Sequence, residues 1–368
     1  MNDRYQKFAE PGDTVIEPDD RRLAYCGRIG KDADGKPVFV FPCTYVKWRF
    51  RGSGAAAVVS NQRYYYDVFA GYTIDGADKP ECVRLPENET SRVVLCSGLE
   101  DGEHEICFYK RQDACNTITI HAILLENNGE LLDCTEEFAI NMEVYGDSVS
   151  AGEVSEAVEC TGQPDPEGHE GKYSNSWYSY SWMTARKLNA RLHDIAQGGV
   201  ALLPHTGWFS APEYVGMEQI YDKILYYPDL GNAAKWDFSR YIPDVCIVAL
   251  GQNDANPENY MKNDYEGEKA CMWRRHYAEF LRKLRKHYPK ALIICSTTIL
   301  MHDGSWDRAI GEVVENMHDA KIRHFLYSNN GTGTPGHIRI PEAEKMASEL
   351  AEYISTVTIH SRVIIDAS

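Results

Sequence analysis

The chain lacks any apolar run approaching the roughly 18 residues that a membrane-crossing helix needs, so no transmembrane helix is expected. Its first ten residues, Met1 to Glu10, are polar and show no apolar core of a secretory signal. The eleven cysteines, an odd number, include no Cys-x-x-Cys pair and no zinc-ligand spacing. A structural zinc site and a disulfide framework are therefore not expected. Cys96, Cys107, Cys246 and Cys295 sit in apolar, strand-like runs where a thiol acts as a small hydrophobe. These features together point to a reducing cytoplasm. Positive charge is also short: 38 Lys and Arg stand against 55 Asp and Glu, a formal net charge of −17. Such a surface repels nucleic acid and anionic membranes and disfavours polyanionic substrates, while a neutral ligand meets no objection. Neither an internal repeat nor a low-complexity linker is present.

What is present is ordinary globular composition, 43% hydrophobic over 368 residues, enough for two domains of usual size. From about Lys36 to Ile140 the pattern is β. Short runs rich in β-branched and aromatic residues recur at Val38–Phe41, Tyr45–Phe50, Ala55–Val59, Tyr64–Ala70, Arg92–Cys96, Glu105–Tyr109 and Ile118–Leu125. Ile74-Asp75-Gly76 and Asn127-Asn128-Gly129 read as hairpin turns. Seven or eight short strands without a convincing helix predict a sandwich or jelly-roll over residues 1–138.

From about residue 139 the period changes, and helix-like segments alternate with apolar runs over 139–368, which predicts a parallel α/β sheet. Its five strand candidates are Ile140–Tyr145, Leu192–Ala196, Val245–Leu250, Leu292–Ser296 and Ile322–Tyr327. Trp273, Tyr277, Phe280, Leu281 and Leu284 fall on one face of a helix over about 267–287. Pro341 at a first helical position opens another, with Met346, Leu350, Tyr353 and Ile354 inward.

Chemistry collects at the ends of these strands. The first delivers Gly146-Asp147-Ser148, a turn that presents a serine hydroxyl where open α/β sheets bind their ligands. The third ends in Gly251-Gln252-Asn253-Asp254, whose Asn253 amide can donate to a developing oxyanion. Between them lies Gln197-Gly198-Gly199, where a glycine lets a bare backbone N–H approach a substrate; Gly199 is the stronger candidate and Gly198 competes with it. Near the C-terminus Thr334-Pro335-Gly336-His337 precedes a helix and supplies a base suited to neutral pH. Asp147 and Asp254 are expected to brace their loops through backbone N–H groups rather than to do chemistry.

Serine, glycine, asparagine and histidine in this order, at Ser148, Gly199, Asn253 and His337, resemble the SGNH (GDSL-type) hydrolases. Tyr178-Ser179-Tyr180, Thr184 to Ala190, Trp236-Asp237-Phe238-Ser239 with Pro243-Asp244-Val245, Tyr25-Cys26-Gly27-Arg28 and Trp48 to Gly52 are similar to carbohydrate esterase family 2 in particular. The resemblance spans most of the chain. It implies an N-terminal jelly-roll and a C-terminal SGNH-hydrolase domain, a flavodoxin-like three-layer α/β/α fold with a five-stranded parallel sheet. It implies removal of O-acetyl groups from plant-derived xylo-, manno- or gluco-oligosaccharides through a serine nucleophile, with no cofactor and no metal. An acetylated oligosaccharide is then the partner, with Trp208 and Trp306 as candidate sugar platforms.

The family pattern places an aspartate three residues before the histidine, and that position here is Thr334. Three readings stand. A backbone carbonyl orients His337 in a Ser-His dyad, as the family resemblance allows; a carboxylate such as Asp303 or Asp307 fills the place from elsewhere; or the site is dead. Two other functions compete with the esterase. One is a non-catalytic carbohydrate-binding protein with a degenerate hydrolase site. The other is a short-chain lipase or thioesterase, which would want a broader apolar cleft than these polar and aromatic loops offer.

Overall fold

The computed structural model describes residues 5–209, 213–226 and 233–366. The chain divides into two compact units. One comprises Met1–Glu137 with Glu170–Lys172, the other Phe138–His169 with Tyr173–Ser368.

The first unit is all-β and holds two six-stranded antiparallel sheets among its described residues. In one, the order is Ile29–Lys31, Pro37–Phe39, Asn116–Leu125, Ala55–Arg63 and Thr90–Cys96, with Thr14–Ile16 also pairing Asn116–Leu125. In the other it is Glu130–Leu132, Tyr45–Gly52, Gly102–Lys110, Phe69–Ile74 and Glu81–Arg84, with Ala24–Cys26 against Tyr45–Gly52. Strand alternation builds the core. Val46, Trp48 and Phe50 point inward from one strand, while Arg49 and Arg51 of the same strand reach Glu103 on the next. They meet Ala55, Ala57, Val59, Ile118, Ile120 and Ile123 of the other sheet in one buried cluster. The run Ala55 to Val59 is apolar on both faces for a visible reason. Its second face, Ala56 and Val58, is covered by Tyr5, Phe8 and Val15.

One turn differs from expectation. Asn127-Asn128-Gly129 does not close a hairpin. The strand before it, Asn116–Leu125, pairs with Ala55–Arg63, whereas the strand after it, Glu130–Leu132, pairs with Tyr45–Gly52 in the other sheet. Asn127 and Asn128 have φ of 54° and 60°, so the left-handed tolerance that makes a tight hairpin serves a crossing between sheets here. The expected strand over Tyr64–Ala70 begins only at Phe69.

The second unit is α/β. Its five-stranded sheet is wholly parallel, in the order Ala190–Ala196, Ile140–Gly146, Val245–Ala249, Leu292–Ser296 and Ile322–His324. By position in the chain this is 2-1-3-4-5, the flavodoxin-like order. Val245–Ala249 and Leu292–Ser296 are buried at every position and almost wholly apolar, as strands covered on both faces must be. Helix Glu268–His287 buries Trp273, Tyr277, Phe280, Leu281 and Leu284 on the face its 3.6-residue period predicts. The C-terminal helix begins at Ile340, with Pro341 in its first turn and Met346, Leu350 and Ile354 buried.

The order reverses between Ile140–Gly146 and Val245–Ala249. Crossovers leave that point in opposite directions, so a crevice opens beyond the carboxyl ends of these two strands. Ser148 follows the first strand and Asn253 the second.

The core assignment of the β-unit is testable. Trp48 is fully buried at the centre of the cluster. Trp48→Ala should cost roughly 3–5 kcal/mol in a denaturant titration of the β-unit transition. A cost under about 1 kcal/mol would show that this ring is not part of the core.

Candidate active site

Ser148 opens a four-residue helix, Ser148–Ala151, and is nearly buried. Asp147 caps that helix by accepting from Val149 N–H at 3.0 Å. The same carboxyl accepts from Gln252 Nε2 at 2.5 Å and Asn253 Nδ2 at 3.1 Å. Gln252 turns its own side-chain oxygen to Thr298, accepting from the backbone N–H at 2.9 Å and the hydroxyl at 3.0 Å. The ends of three neighbouring strands are thereby tied together. Asp147 is almost inaccessible, and burial pushes its pKa up to about 6 against the lowering effect of these donors and of His337.

Gly199 adopts φ +72°, a left-handed conformation, and a Cβ there would lie 2.8 Å from Trp208 Cβ and 2.9 Å from Phe209 N. Its carbonyl accepts from Trp208 N–H at 2.7 Å and Phe209 N–H at 3.1 Å, folding the loop back on itself. The N–H groups of Ser148 and Gly199 have no acceptor among the described residues and are the backbone donors open to an oxyanion. Gly198 does not adopt a positive φ. Asn253 is different: its amide donates to Asp147 Oδ2 and, at 3.0 Å, to Val200 O. Both amide hydrogens are engaged, so the side chain braces the Gly199 loop in this state and must exchange a partner to meet an oxyanion.

Asp254 is fully buried, and its carboxylate accepts from Leu202 N–H at 3.0 Å and Leu203 N–H at 3.3 Å. Burial lifts its pKa to about 7 in spite of these bonds. Both aspartates thus act on loop backbone, as their motifs suggest, and Asp147 also binds two side chains.

His337 lies just ahead of the C-terminal helix. Its Nδ1 is 2.7 Å from Asp165 Oδ2, and its Nε2 is 3.6 Å from Glu153 Oε2. Glu153 belongs to the nucleophile's turn, its N–H donating to Ser148 O at 2.9 Å. The Nε2 edge of the imidazole therefore faces the segment that carries Ser148. Burial opposes charge on the ring, but Glu153, Asp165 and Asp147 outweigh it and hold the His337 pKa above its usual value.

Two expectations about this histidine are corrected. The partner of Nδ1 is a carboxylate and not a backbone carbonyl. Nor is that carboxylate Asp303 or Asp307. Asp303 accepts from Ser305 N–H and pairs with Lys262. Asp307 is held 2.9 Å from His302 Nε2 and takes further bonds from Thr297 and Asn330, an arrangement complete in itself. Asp165 sits in Gln163-Pro164-Asp165-Pro166, a stretch with no apolar period, and pairs with a residue 172 positions away. Its only local signal is a carboxylate between two residues of fixed φ.

The two tryptophans part company. Trp208 is 68% exposed. Its loop is stapled next to the Asn253 turn, because Gly207 N–H donates to Asn256 O at 2.9 Å and Asn256 Nδ2 to Gly207 O at 2.6 Å. Trp306 is fully buried in the helix Ser305–Met317. It stands edge-on to Trp273 and Tyr260, each at 5.3 Å between ring centroids, and its indole N–H donates to Asn259 Oδ1 at 3.1 Å. It cannot serve as a sugar platform. The apolar period of its helix, Trp306, Ala309, Ile310 and Val313, outweighs its place just after a strand-end loop.

Comparison with known proteins agrees with this architecture. Residues 25–134 match the profile of the carbohydrate esterase 2 N-terminal family. The chain is 24% identical over 351 residues to an acetylxylan esterase/glucomannan deacetylase of Cellvibrio japonicus, covering 93% of this chain and 91% of that protein. It is 26% identical over 313 residues to the cellulase/esterase CelE of Acetivibrio thermocellus, covering 84% of this chain but only 35% of CelE. The chain thus spans about a third of the length of that relative. A family two carbohydrate esterase structure from Cellvibrio japonicus superposes with a TM-score of 0.78 at 23% identity, covering 94% of this chain and 98% of that one. Another from Clostridium thermocellum, in complex with cellohexaose, gives 0.74 at 24%, covering 91% and 99%. The chain has their two-part fold, the β-sandwich followed by the SGNH-hydrolase sheet.

The buried carboxylates set a pH dependence of stability. The folded pKa of Asp254 lies above its unfolded value. Its contribution to stability is therefore full below about pH 4 and is lost as pH rises through about 7. Asp254→Asn keeps an acceptor for Leu202 and Leu203 N–H without the charge. Relative to the parent it should be more favourable at pH 8 than at pH 5, read from urea midpoints. An equal effect at both pH values would show that Asp254 does not ionise in this range. Trp306→Ala should lower stability by roughly 3–5 kcal/mol while leaving KM for any sugar ester within a few-fold. A large KM increase without loss of stability would return Trp306 to the binding site.

Proposed function

We propose that the protein is a serine esterase that removes O-acetyl groups from plant-derived xylo-, manno- or gluco-oligosaccharides. The observation that carries this is the meeting of the Ser148, Gly199 and Asn253 turns at the switch point of the parallel sheet, with His337 facing the nucleophile's segment. Likeness to an acetylxylan esterase/glucomannan deacetylase supports acetyl as the acyl group and a sugar as the alcohol. The exposed ring of Trp208, on a loop clamped beside the oxyanion glycine, suits the apolar face of a pyranose.

In this reading Ser148 Oγ attacks the acetyl carbonyl carbon, and its proton passes to His337 Nε2. Charge gathers on the carbonyl oxygen, where the N–H groups of Ser148 and Gly199 and an Asn253 amide hydrogen released from Val200 O receive it. The bond from carbonyl carbon to sugar oxygen then breaks, and Nε2 returns its proton to that oxygen. Water repeats the sequence on the acetyl-serine, giving acetate and free Ser148. No metal or organic cofactor takes part in any step.

The competing idea of a sugar-binding protein with a decayed site rested on the missing aspartate. A carboxylate 2.7 Å from His337 Nδ1 removes that support. All eleven cysteines stand as free thiols, eight of them buried, which suits a reducing compartment.

Acetate release from acetylated xylo- and manno-oligosaccharides, followed by mass spectrometry, tests the reading. Turnover should vanish in Ser148→Ala, and Trp208→Ala should raise KM several-fold with kcat little changed. Acetate release that survives Ser148→Ala would place the activity elsewhere. Faster turnover of octanoyl than of acetyl esters would favour a lipase.

A further inference from the structure

We infer that Asp165 is the carboxylate that orients and charges His337, supplied by the nucleophile's own following loop in place of a residue in the histidine's turn. The inference rests on the esterase reading of Ser148 and His337. Four observations carry it, and they rest on His337, Arg339, Gly336 and Thr334 in turn.

The first is the contact itself. An ionised carboxylate is only an acceptor, so Asp165 Oδ2, 2.7 Å from Nδ1, fixes the proton on Nδ1. Nε2 is then left to accept from Ser148, which is the tautomer that general-base catalysis needs.

The second is Arg339. It is fully buried, and its Nη1 lies 3.0 Å from Asp165 Oδ1 while donating to His337 O at 2.7 Å. One guanidinium holds both members of the pair. Burial works against charge on Asp165, but His337 and Arg339 prevail and keep its carboxyl below the usual range.

The third is Gly336, at φ +85°. A Cβ on it would lie 2.5 Å from Asp165 Oδ2 and 2.8 Å from its Cγ. The residue before the histidine is bare where the carboxylate passes.

The fourth is Thr334, which occupies the position of the family's aspartate. Its hydroxyl accepts from Gly162 N–H at 2.8 Å. Ile340 N–H donates to Ser155 O at 3.0 Å, and Arg339 Nη2 lies 3.4 Å from Gln163 O. Residues 155–165 are thus laid along residues 334–340 by contacts at both ends and in the middle. Thr334 has exchanged a carboxylate for a clip that holds the loop delivering one.

The ionisable groups facing His337 are Asp165 at Nδ1, Glu153 at Nε2, Asp147 beneath the nucleophile and Arg339 behind Asp165; Glu342 caps Thr334 and Arg339 N–H. Of the carboxylates, Asp165 alone is hydrogen-bonded to the ring.

The test is the pH–rate profile of Asp165→Asn on an acetylated oligosaccharide, with 4-nitrophenyl acetate as a second ester. kcat should fall about 10⁴-fold, the loss expected when a triad carboxylate becomes an amide and the imidazole takes the wrong tautomer. KM should stay within a few-fold. The acid limb of kcat/KM should move to lower pH, because the ring has lost a charge that favours its protonated form. Asp165→Glu should recover part of the rate and return the limb toward the parent. Gly336→Ala, which crowds the carboxylate from the other side, should shift the limb in the same direction as Asp165→Asn. Melting curves accompany each variant. If Asp165→Asn does not fold, Asp165→Glu and Gly336→Ala decide the matter through the limb. An acid limb unmoved in every folded variant, or kcat within tenfold of the parent in Asp165→Asn, would overturn the inference. If Ser148→Ala abolishes turnover in that case, the esterase reading survives without it. If Ser148→Ala does not, both fall.

Discussion

Asp147 joins the two strand ends between which the sheet order reverses. It closes the first strand of the parallel sheet and caps the turn that raises Ser148. It also takes the side chains of Gln252 and Asn253 from the turn after the third strand. A carboxylate this deeply buried is costly unless its oxygens are satisfied. Donors from two loops satisfy it, so neither loop can move without leaving a charge or an amide unpaired. Gln252 extends the tie to Thr298 after the fourth strand, and Asn253 extends it to Val200 beside Gly199. Ser148, Gly199 and three strand ends are thereby joined in one hydrogen-bonded piece, which is the preorganisation that the proposed stabilisation of a developing charge requires. The charge on Asp147 has a second effect. It lies within reach of His337 and favours the charged form of the ring, the form that the proposed proton transfer from Ser148 would create.

Those parts of the molecule that follow from local period were legible in the sequence. The strands Val245–Ala249 and Leu292–Ser296 show as near-continuous apolar runs because both their faces are covered. The helix Glu268–His287 shows as a stripe, because its far face meets water. The motif turns show because glycines and short polar residues must stand where strands end. Legibility stopped where a residue's neighbours are remote in the chain. Asn127-Asn128-Gly129 has hairpin chemistry, yet which strand follows it is decided by pairing with Tyr45–Gly52, far upstream. Trp306 has the look of a loop aromatic until the helix that begins at Ser305 turns it inward onto Trp273. The amide of Asn253 reads as an oxyanion donor, and the structure shows the bonds that already hold it.

Asp165 carries no signal of its role in the sequence, where the positions open to a partner of His337 are Thr334, three residues back, and the aspartates after the fourth strand. Asp307 and His302 even form a close acid–imidazole pair, but Thr297 and Asn330 complete it, and it answers to the loop after the fourth strand alone. The carboxylate that does reach His337 lies in a proline-flanked loop whose sequence has no period and no motif. Only the alignment of residues 155–165 beside 334–340 brings it there.

The chemistry explains why such a relocation is open to this fold. An imidazole acting as a base needs negative charge and an acceptor at Nδ1, in the plane of the ring; it does not need them from any particular place in the chain. In the family's pattern the acid and the base share one turn, so their geometry is set by three residues of backbone. Here the proposed acid, Asp165, and the proposed nucleophile, Ser148, share one segment instead, residues 147–165, and His337 docks against it from the far end of the domain. The mutual placement of acid and base then depends on long-range bonds: Gly162 with Thr334, Ser155 with Ile340, and the guanidinium of Arg339 between Asp165 and His337 O. Arg339 is well suited to that task, since its planar fork can meet a carboxylate and a carbonyl at once and its charge does not vary with pH. With His337 against it and Arg339 behind it, Asp165 is held below the usual carboxylate range where burial would favour the acid. The distribution of labour has a physical consequence. Loosening the start of the C-terminal helix would separate His337 from Asp165 and from the Ser148 segment together, so in the proposed mechanism the helix beginning at Ile340 is a structural condition for the site as well as a wall of the domain.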